Sequence, residues 1–400
     1  MDFIDIFTKH TADLESPLSY IRWSAVAILS AVMRDNLYYQ WTHGKIYPNI
    51  YVVIVAKSSA TRKDPPIREA ERFLRAIGNT KVISGRASIQ AVMKVLAENY
   101  VDKDTNKRLR GAVGILMSKE LSDFLVDDPV ATKILTDWYD CHDIWPNNLI
   151  SSGITELRNL CVTMLAASND ELFKDVFHHR EIYGGLLARS FIITESRRRK
   201  KNSRMYADPE QENHEEELLQ HLTKISSMYG QVELTENAKR LYDDWYNSIE
   251  DEHYDKAGVI ARMHTCVLKL AMILAASHFS FDKVIHMHDV VKAIEWIQQL
   301  IRNYQTVMLG TGRCILAEPT TLVLQELMKV KNYQLTYRQL IQRLFGNVDG
   351  DTLQKVLKDL CDTGFLRPDG SLGEPRYTLT EKFFEHLENK IKEREEKHVI

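Results

Sequence analysis

The chain has 400 residues, 44% of them hydrophobic and 27% charged, so it can bury more than one globular core. A net charge of -3 excludes a molecule that binds polyanions over its whole surface, and any basic site must be local. Five scattered cysteines (Cys141, Cys161, Cys266, Cys314 and Cys361) contain no CxxC pair, which argues against a zinc ribbon or disulfide framework and for a reducing compartment.

The opening "MDFIDIFTKH" has no basic stretch followed by an apolar core, so no signal peptide is expected. Residues 16–34, "SPLSYIRWSAVAILSAVMR", carry helical periodicity after a Ser-Pro start. Two β-rich segments follow, "NLYYQWT" and "NIYVVIVA", joined by the turn "HGKIYP". In "PPIREAERFLRAI" the prolines suit a helix's first turn, and Ile67, Ala70, Phe73, Leu74 and Ile77 make one apolar face.

Apolar runs recur at 111–118, 159–168 and 186–194, separated by the helix-like "SIQAVMKVLAENY" and "ATKILTDWYDCHD". Strands alternating with helices predict a mainly parallel sheet covered on both faces. A basic block, "RRRKKNSR" at 197–204, precedes an acidic linker at about 206–217, and the pattern is then helical to about 308. The longest apolar stretches, such as "LKLAMILAASHF", fall short of the roughly 20 residues that span a bilayer. A small unit runs from 316 to 382, and 383–400 is a charged tail.

The segment "AKSSATRKDPPI" lies between a buried strand and a helix start, the context in which backbone N–H groups, a helix N-terminus and a lysine hold phosphate. Ser58, Ser59, Ala60 and Thr61 are small enough for the backbone to curl. Lys63 is placed to reach β- and γ-phosphates, with Arg62 as a second cation, and Asp64 is a ligand for Mg²⁺. The loop lacks glycine, and Asp64 stands where such loops carry Ser or Thr.

The strand "GAVGILMS" ends in Ser118-Lys119-Glu120, where Glu120 suits activation of water and Lys119 replaces the usual metal-side Asp. "LCVTMLAASND" delivers Asn169 to a strand tip, where a polar side chain orients water against γ-phosphate. In "YGGLLARSFIIT", Arg189 precedes a strand and is placed to reach a neighbouring subunit's nucleotide.

Together these four segments resemble the AAA+ ATPase core of phage and mobile-element replication proteins, related to minichromosome-maintenance helicases. The resemblance covers roughly residues 15–300. It implies a P-loop α/β core over 1–205, a helical lid over 206–312, ATP with Mg²⁺, and a homo-oligomeric, hexamer-like ring around single-stranded DNA. It also implies a cytoplasmic protein, in the host cytoplasm if phage-encoded. "GVIARMHTCVLKLAMILAASHF" resembles the lid and makes Arg262 the sensor reaching back to γ-phosphate. "SSGITELRNL" at 151–160 is similar to a channel-facing β-hairpin, with Arg158 as its basic contact to DNA.

Over 316–382, three short helices and two strands around "RPDGSLGEPR" resemble a winged helix. Gln354, Lys355 and Lys358 on its third helix, with Arg367 and Arg376 on the wing, are its DNA contacts, although Asp349, Asp351, Asp359 and Asp362 oppose them and such units also bind proteins. The histidines at 178–179 and 286–288 are read as lacking acidic or cysteine partners at ligand spacing, so no metal site is expected there. Two functions fit: an ATP-driven, ring-forming DNA helicase or helicase-like motor, or a nucleotide-binding initiator or DNA-binding adaptor with little or no hydrolysis.

Overall fold

The computed structural model describes all residues except 43, 57–60, 98–99, 102–107, 110, 126–128, 147–155, 170–184, 187, 196, 203–209, 250–258, 312–316, 347, 370–374 and 387–400. Packing divides the chain once, into Met1–Val307 and Met308–Ile400.

The first unit is α/β, with a mostly parallel central sheet compatible with a P-loop-type core. Its parallel strands are β1 (Tyr51–Val55), β2 (Lys81–Ser84), β3 (Val113–Ser118), β4 (Glu156–Ser168) and β5 (Ser190–Thr194), in the spatial order β5-β1-β4-β3-β2. β1 is buried along its whole length, as its unbroken β-branched run predicts for a central parallel strand. Its register pairs Val55 with Ser168 on one side and with Thr194 on the other. β1 sends the chain one way along the sheet and β4 sends it the other. In open α/β sheets such a reversal is where a ligand crevice forms, beyond the carboxyl ends of the strands.

Beyond the opposite, amino end of the strands, β4 continues as a hairpin arm. The strand His142–Pro146 pairs antiparallel with it from Glu156 to Leu160. The segment "SSGITELRNL" therefore forms one arm of a hairpin from residue 156 onward, and 151–155 lie outside the described residues.

Two expectations change. The turn "HGKIYP" contributes a strand of its own: Gly44–Ile46 pairs antiparallel with Leu37–Trp41, which pairs on its other side with Gly230–Gln231 in a small three-stranded sheet apart from the main one. The acidic segment near 206–217 is not simply a linker; helix Glu210–Ser226 begins inside it. Its Leu218, Leu222 and Ile225 supply the period that anchors it in the core.

Helices α1 (Phe3–His10), α2 (Leu18–Met33), α3 (Asp64–Ile77), α4 (Ile89–Ala97), α5 (Pro129–Trp138), α6 (Glu210–Ser226), α7 (Glu236–Asn247), α8 (Val259–Ser277) and α9 (Met287–Thr311) surround this sheet or pack on one another. α2 is apolar on every side and is buried from Trp23 to Met33, in contact with α1, α3, α6, α8 and β4. One continuous core holds residues of α1, α2, α3, the sheet, α6 and α8, so packing does not break near 206. Among the described residues no helix is long and apolar enough to cross a membrane.

The second unit contains α10 (Ala317–Met328), α11 (Tyr337–Arg343) and α12 (Gly350–Asp362). Its antiparallel strands, β6 (Gln334–Thr336), β7 (Leu366–Asp369) and β8 (Arg376–Leu379), lie in the order β6-β8-β7. Thr336 and Gln339 form a reciprocal capping box on α11, and Asp349 caps α12. Leu340, Leu353, Val356 and Leu366 meet in its own core.

Candidate functional site

β1, β4 and β3 are neighbours, and their carboxyl ends carry the candidate phosphate loop, Asn169 and Glu120 in that order. Ala56 is tied to the end of β4 by its N–H donating to the Ser168 carbonyl at 3.1 Å. Ser58, Ser59 and Ala60 lie outside the described residues, and the chain returns at the buried Thr61. Arg62 has a left-handed backbone, with φ 54°. Its carbonyl accepts from Ser16 Oγ at 2.5 Å, which fixes where the loop enters the helix.

Lys63 is the N-cap residue of α3, and its side chain makes no capping bond. It extends instead across the crevice, and its Nζ donates to Glu120 Oε1 at 3.0 Å. Two strand spacings, about 10 Å, separate the strands that carry these residues, so only a long side chain closes the gap. Lys63 is 10% exposed and Glu120 41%. Glu120 Oε2 is shielded from water and has no hydrogen-bond partner among the described residues. A shielded, unpartnered carboxylate oxygen is costly to keep, and a ligand that fills the crevice relieves it.

Ser118 positions Glu120. Its Oγ accepts from the Glu120 N–H at 3.0 Å and lies 2.6 Å from both Asp123 Oδ2 and the Glu120 carbonyl. Asp123 was not singled out from sequence, although Ser-x-x-x-x-Asp around a strand end is the available signal. Asn169 is half-buried where β4 ends, between the two arms. Asp64 opens α3 and is half-buried.

The helix end itself is a poor phosphate seat. Of its four unpaired N–H positions, Pro65 and Pro66 supply none. Anion binding here must rest on Lys63 and the loop backbone more than on the helix.

Arg62 does not face the crevice. Its Nε donates to Glu15 Oε2 at 2.9 Å, and Glu15 also accepts from the Asn202 N–H at 2.8 Å and from Arg198 Nη1 at 3.1 Å. The Asn202 N–H first, then the two guanidinium groups, hold the Glu15 carboxyl down at about 2. The basic block thus serves as a clasp: Arg199 and Lys200 donate to the carbonyls of Ala12 and Leu14 or of Ala12 alone. Glu15 carried no sequence signal, because its partners are near 62 and 200.

The other end of the sheet gathers a second set. Arg189, immediately before β5, is buried; its Nη2 donates to Asp140 Oδ2 at 2.8 Å and its Nη1 to the Gly185 carbonyl at 3.2 Å. In this single chain it is held within its own fold. Arg262 stands one turn before Cys266 on α8; burial pushes the Cys266 thiol up, and the nearby Tyr139 hydroxyl and cations oppose this. Met263 and Cys266 pack beside Ala188 and Ser190, at the amino end of β5. Arg262 therefore does not reach back to its own chain's Lys63, because α8 places it at the amino end of the strands, opposite the carboxyl end that carries Lys63.

Arg158 on the hairpin is 70% exposed and pairs with Glu156 at 2.6 Å. Gln354, Lys355 and Lys358 lie exposed on α12, and Gln354 and Lys358 line an open groove with Tyr337, Pro368 and Tyr377. Arg367 pairs with Asp369 at 3.1 Å, and Arg376 is exposed at the start of β8.

No protein-family model matches the chain, and no curated protein matches it.

Proposed function

We propose that this protein is an ATP-dependent, ring-forming DNA motor of the AAA+ class, acting in phage or mobile-element replication. The observation that carries the reading is the Lys63–Glu120 contact across the carboxyl end of the sheet. A cation from the first core strand and a carboxylate from the third face one crevice, as phosphoryl transfer to water requires.

The ion pair is the resting arrangement of the site. When triphosphate enters, Lys63 exchanges a carboxylate for phosphate oxygens and Glu120 is released towards the attacking water. Water then adds to the γ-phosphorus as the bond to the β-phosphate oxygen breaks, giving ADP and inorganic phosphate; Glu120 accepts or orients the water's proton. Asn169, between the two, orients the same water. Mg²⁺ would neutralise phosphate charge here, with Asp64 as the carboxylate that would hold it, a sparse donor set that suits an ion which keeps its waters.

Arg189 and Arg262, at the amino end of the strands, suit a neighbouring subunit's site better than their own, and Arg189 would exchange Asp140 for phosphate on assembly. The hairpin with Arg158 and the second unit, read as a winged helix presenting Gln354, Lys355 and Lys358, are the DNA contacts. Helices α6 to α9 are the counterpart of the lid.

A second reading, a nucleotide-binding initiator with little turnover, is favoured by Pro65 and Pro66, which take two donors from the phosphate seat, and by the exposed Lys119 in place of an acid. ATP binding and turnover with and without single-stranded DNA separate the readings. Lys63→Ala is expected to weaken ATP binding at least about tenfold, and Glu120→Gln to abolish turnover while ATP still binds. Tight binding without turnover in the wild type supports the initiator. No ATP binding at all refutes both.

A further inference from the structure

Away from this crevice, three side chains converge where α8 gives way to α9. His278 Nε2 lies 2.8 Å from Asp289 Oδ1 and 3.2 Å from His288 Nε2, and His288 Nε2 lies 3.3 Å from the same carboxylate oxygen. We propose that His278, His288 and Asp289 form a binding site for a divalent transition cation of the zinc type.

The geometry carries the proposal. Four ligands bound to zinc at about 2.0–2.1 Å in a tetrahedron stand about 3.3–3.4 Å apart. The three ligand atoms found here are separated by 2.8, 3.2 and 3.3 Å, one face of such a tetrahedron. A cation just off their plane reaches all three and keeps its fourth position for water, the three-ligand plan of an open zinc site. Without a cation, two imidazole nitrogens meet at hydrogen-bond distance while both face one carboxylate oxygen, and the three atoms compete for the same protons.

The surroundings are built for ligation. Asp289 is 1% exposed, and its second oxygen accepts from the His286 N–H at 2.9 Å, which fixes the carboxylate as supporting bonds fix metal ligands. His286 stacks on His288, ring centroids 5.7 Å apart. The positive end of α9 opposes a cation, and the carboxylate in its first turn offsets this. Two imidazoles and one carboxylate select zinc or its first-row neighbours; the all-oxygen preference of Mg²⁺ excludes that ion.

From sequence the site was missed twice over. His278 is ten residues from His288, too far for a local spacing rule, and Asp289, adjacent to His288, does not stand at a spacing that marks a ligand pair. Residues 278–288 fold back through the short strand Val284–Ile285, which pairs with Glu233–Leu234 and brings the ends together. A bound cation would fasten the end of α8 to the start of α9.

The test uses tag-free, full-length protein stripped with a chelator, then titrated with Zn²⁺ against a chromophoric competitor and with Co²⁺ by visible absorption. One equivalent of Zn²⁺ is expected, with tetrahedral Co²⁺ bands and a melting temperature raised by Zn²⁺. His288→Gln and His278→Gln are each expected to weaken binding at least about tenfold and to lose the thermal shift, while His142→Gln retains both. His288 is 63% exposed, so its variant reads binding even where His278→Gln fails to fold. Wild-type protein that binds less than one equivalent, or a His288→Gln variant that binds as tightly, overturns the proposal. ATP binding plays no part in either outcome.

Discussion

Glu15 shows how one carboxylate can decide where a neighbouring cation points. By accepting from the Asn202 N–H, Arg62 and Arg198 together, it holds the basic block against the segment before α2 and keeps Arg62 out of the phosphate crevice. Lys63, one residue on, is left as the cation that crosses to Glu120. Because the Glu15 carboxyl sits at about 2 when folded and near 4.3 when unfolded, the native state binds fewer protons in between. Its stabilisation is therefore complete above about pH 4.5 and lost as pH falls towards 2. The protection of the Asn202 amide against hydrogen exchange, taken relative to the intrinsic rate at each pH, should fall as pH is lowered through that window in the wild type. In Glu15→Gln, that protection should already be low at neutral pH and stay flat through the window; a wild-type amide whose protection is unchanged from pH 5 to pH 2 would refute the clasp.

At the scale of elements, the sequence was most informative where burial alone sets the pattern. β1 and β3 are β-branched or apolar runs buried on both faces, and α3 shows its Ile67, Ala70, Phe73 and Leu74 face as periodicity predicts. Pairing partners were less legible. That "GKI" is a strand, that β4 extends back to Glu156, and that an acidic stretch is helical all depend on contacts far away in sequence. The candidate site divides the same way: Lys63 and Glu120 follow strand ends and could be placed together, whereas the orientation of Arg62 depends on Glu15, and the position of Arg262 on the packing of α8. Gly114 gives a test of the sheet itself. It pairs with Lys81 of β2, and an added Cβ would lie 3.1 Å from the Lys81 carbonyl and 2.9 Å from Leu96 Cδ2. Leu96 can rotate away; the carbonyl is fixed by the ladder. Gly114→Val should cost about 1–3 kcal/mol, read as a lowered denaturant midpoint with unchanged slope. A Gly114→Val midpoint equal to the wild type's would mean that β2 and β3 do not approach as described.

For the whole molecule, the division after Val307 has a thermodynamic consequence. The roughly 90 residues of the second unit have a core of their own, with helices capped by Thr336 and Asp349 and an antiparallel sheet closing it. That size exceeds the limit of about 40 residues below which a domain needs disulfides or metals to fold. Residues 308–400 expressed alone should therefore unfold cooperatively, with a calorimetric enthalpy of about 60 kcal/mol near 60 °C. The intact chain should show that transition beside a larger one from residues 1–307. The zinc-type cation separates the two: His278, His288 and Asp289 all belong to the first unit, so Zn²⁺ should raise only the larger transition and leave the smaller one in place. A single transition in the intact chain, with the isolated fragment unfolded, would mean that the second unit depends on the first for its stability and that the two act as one cooperative body.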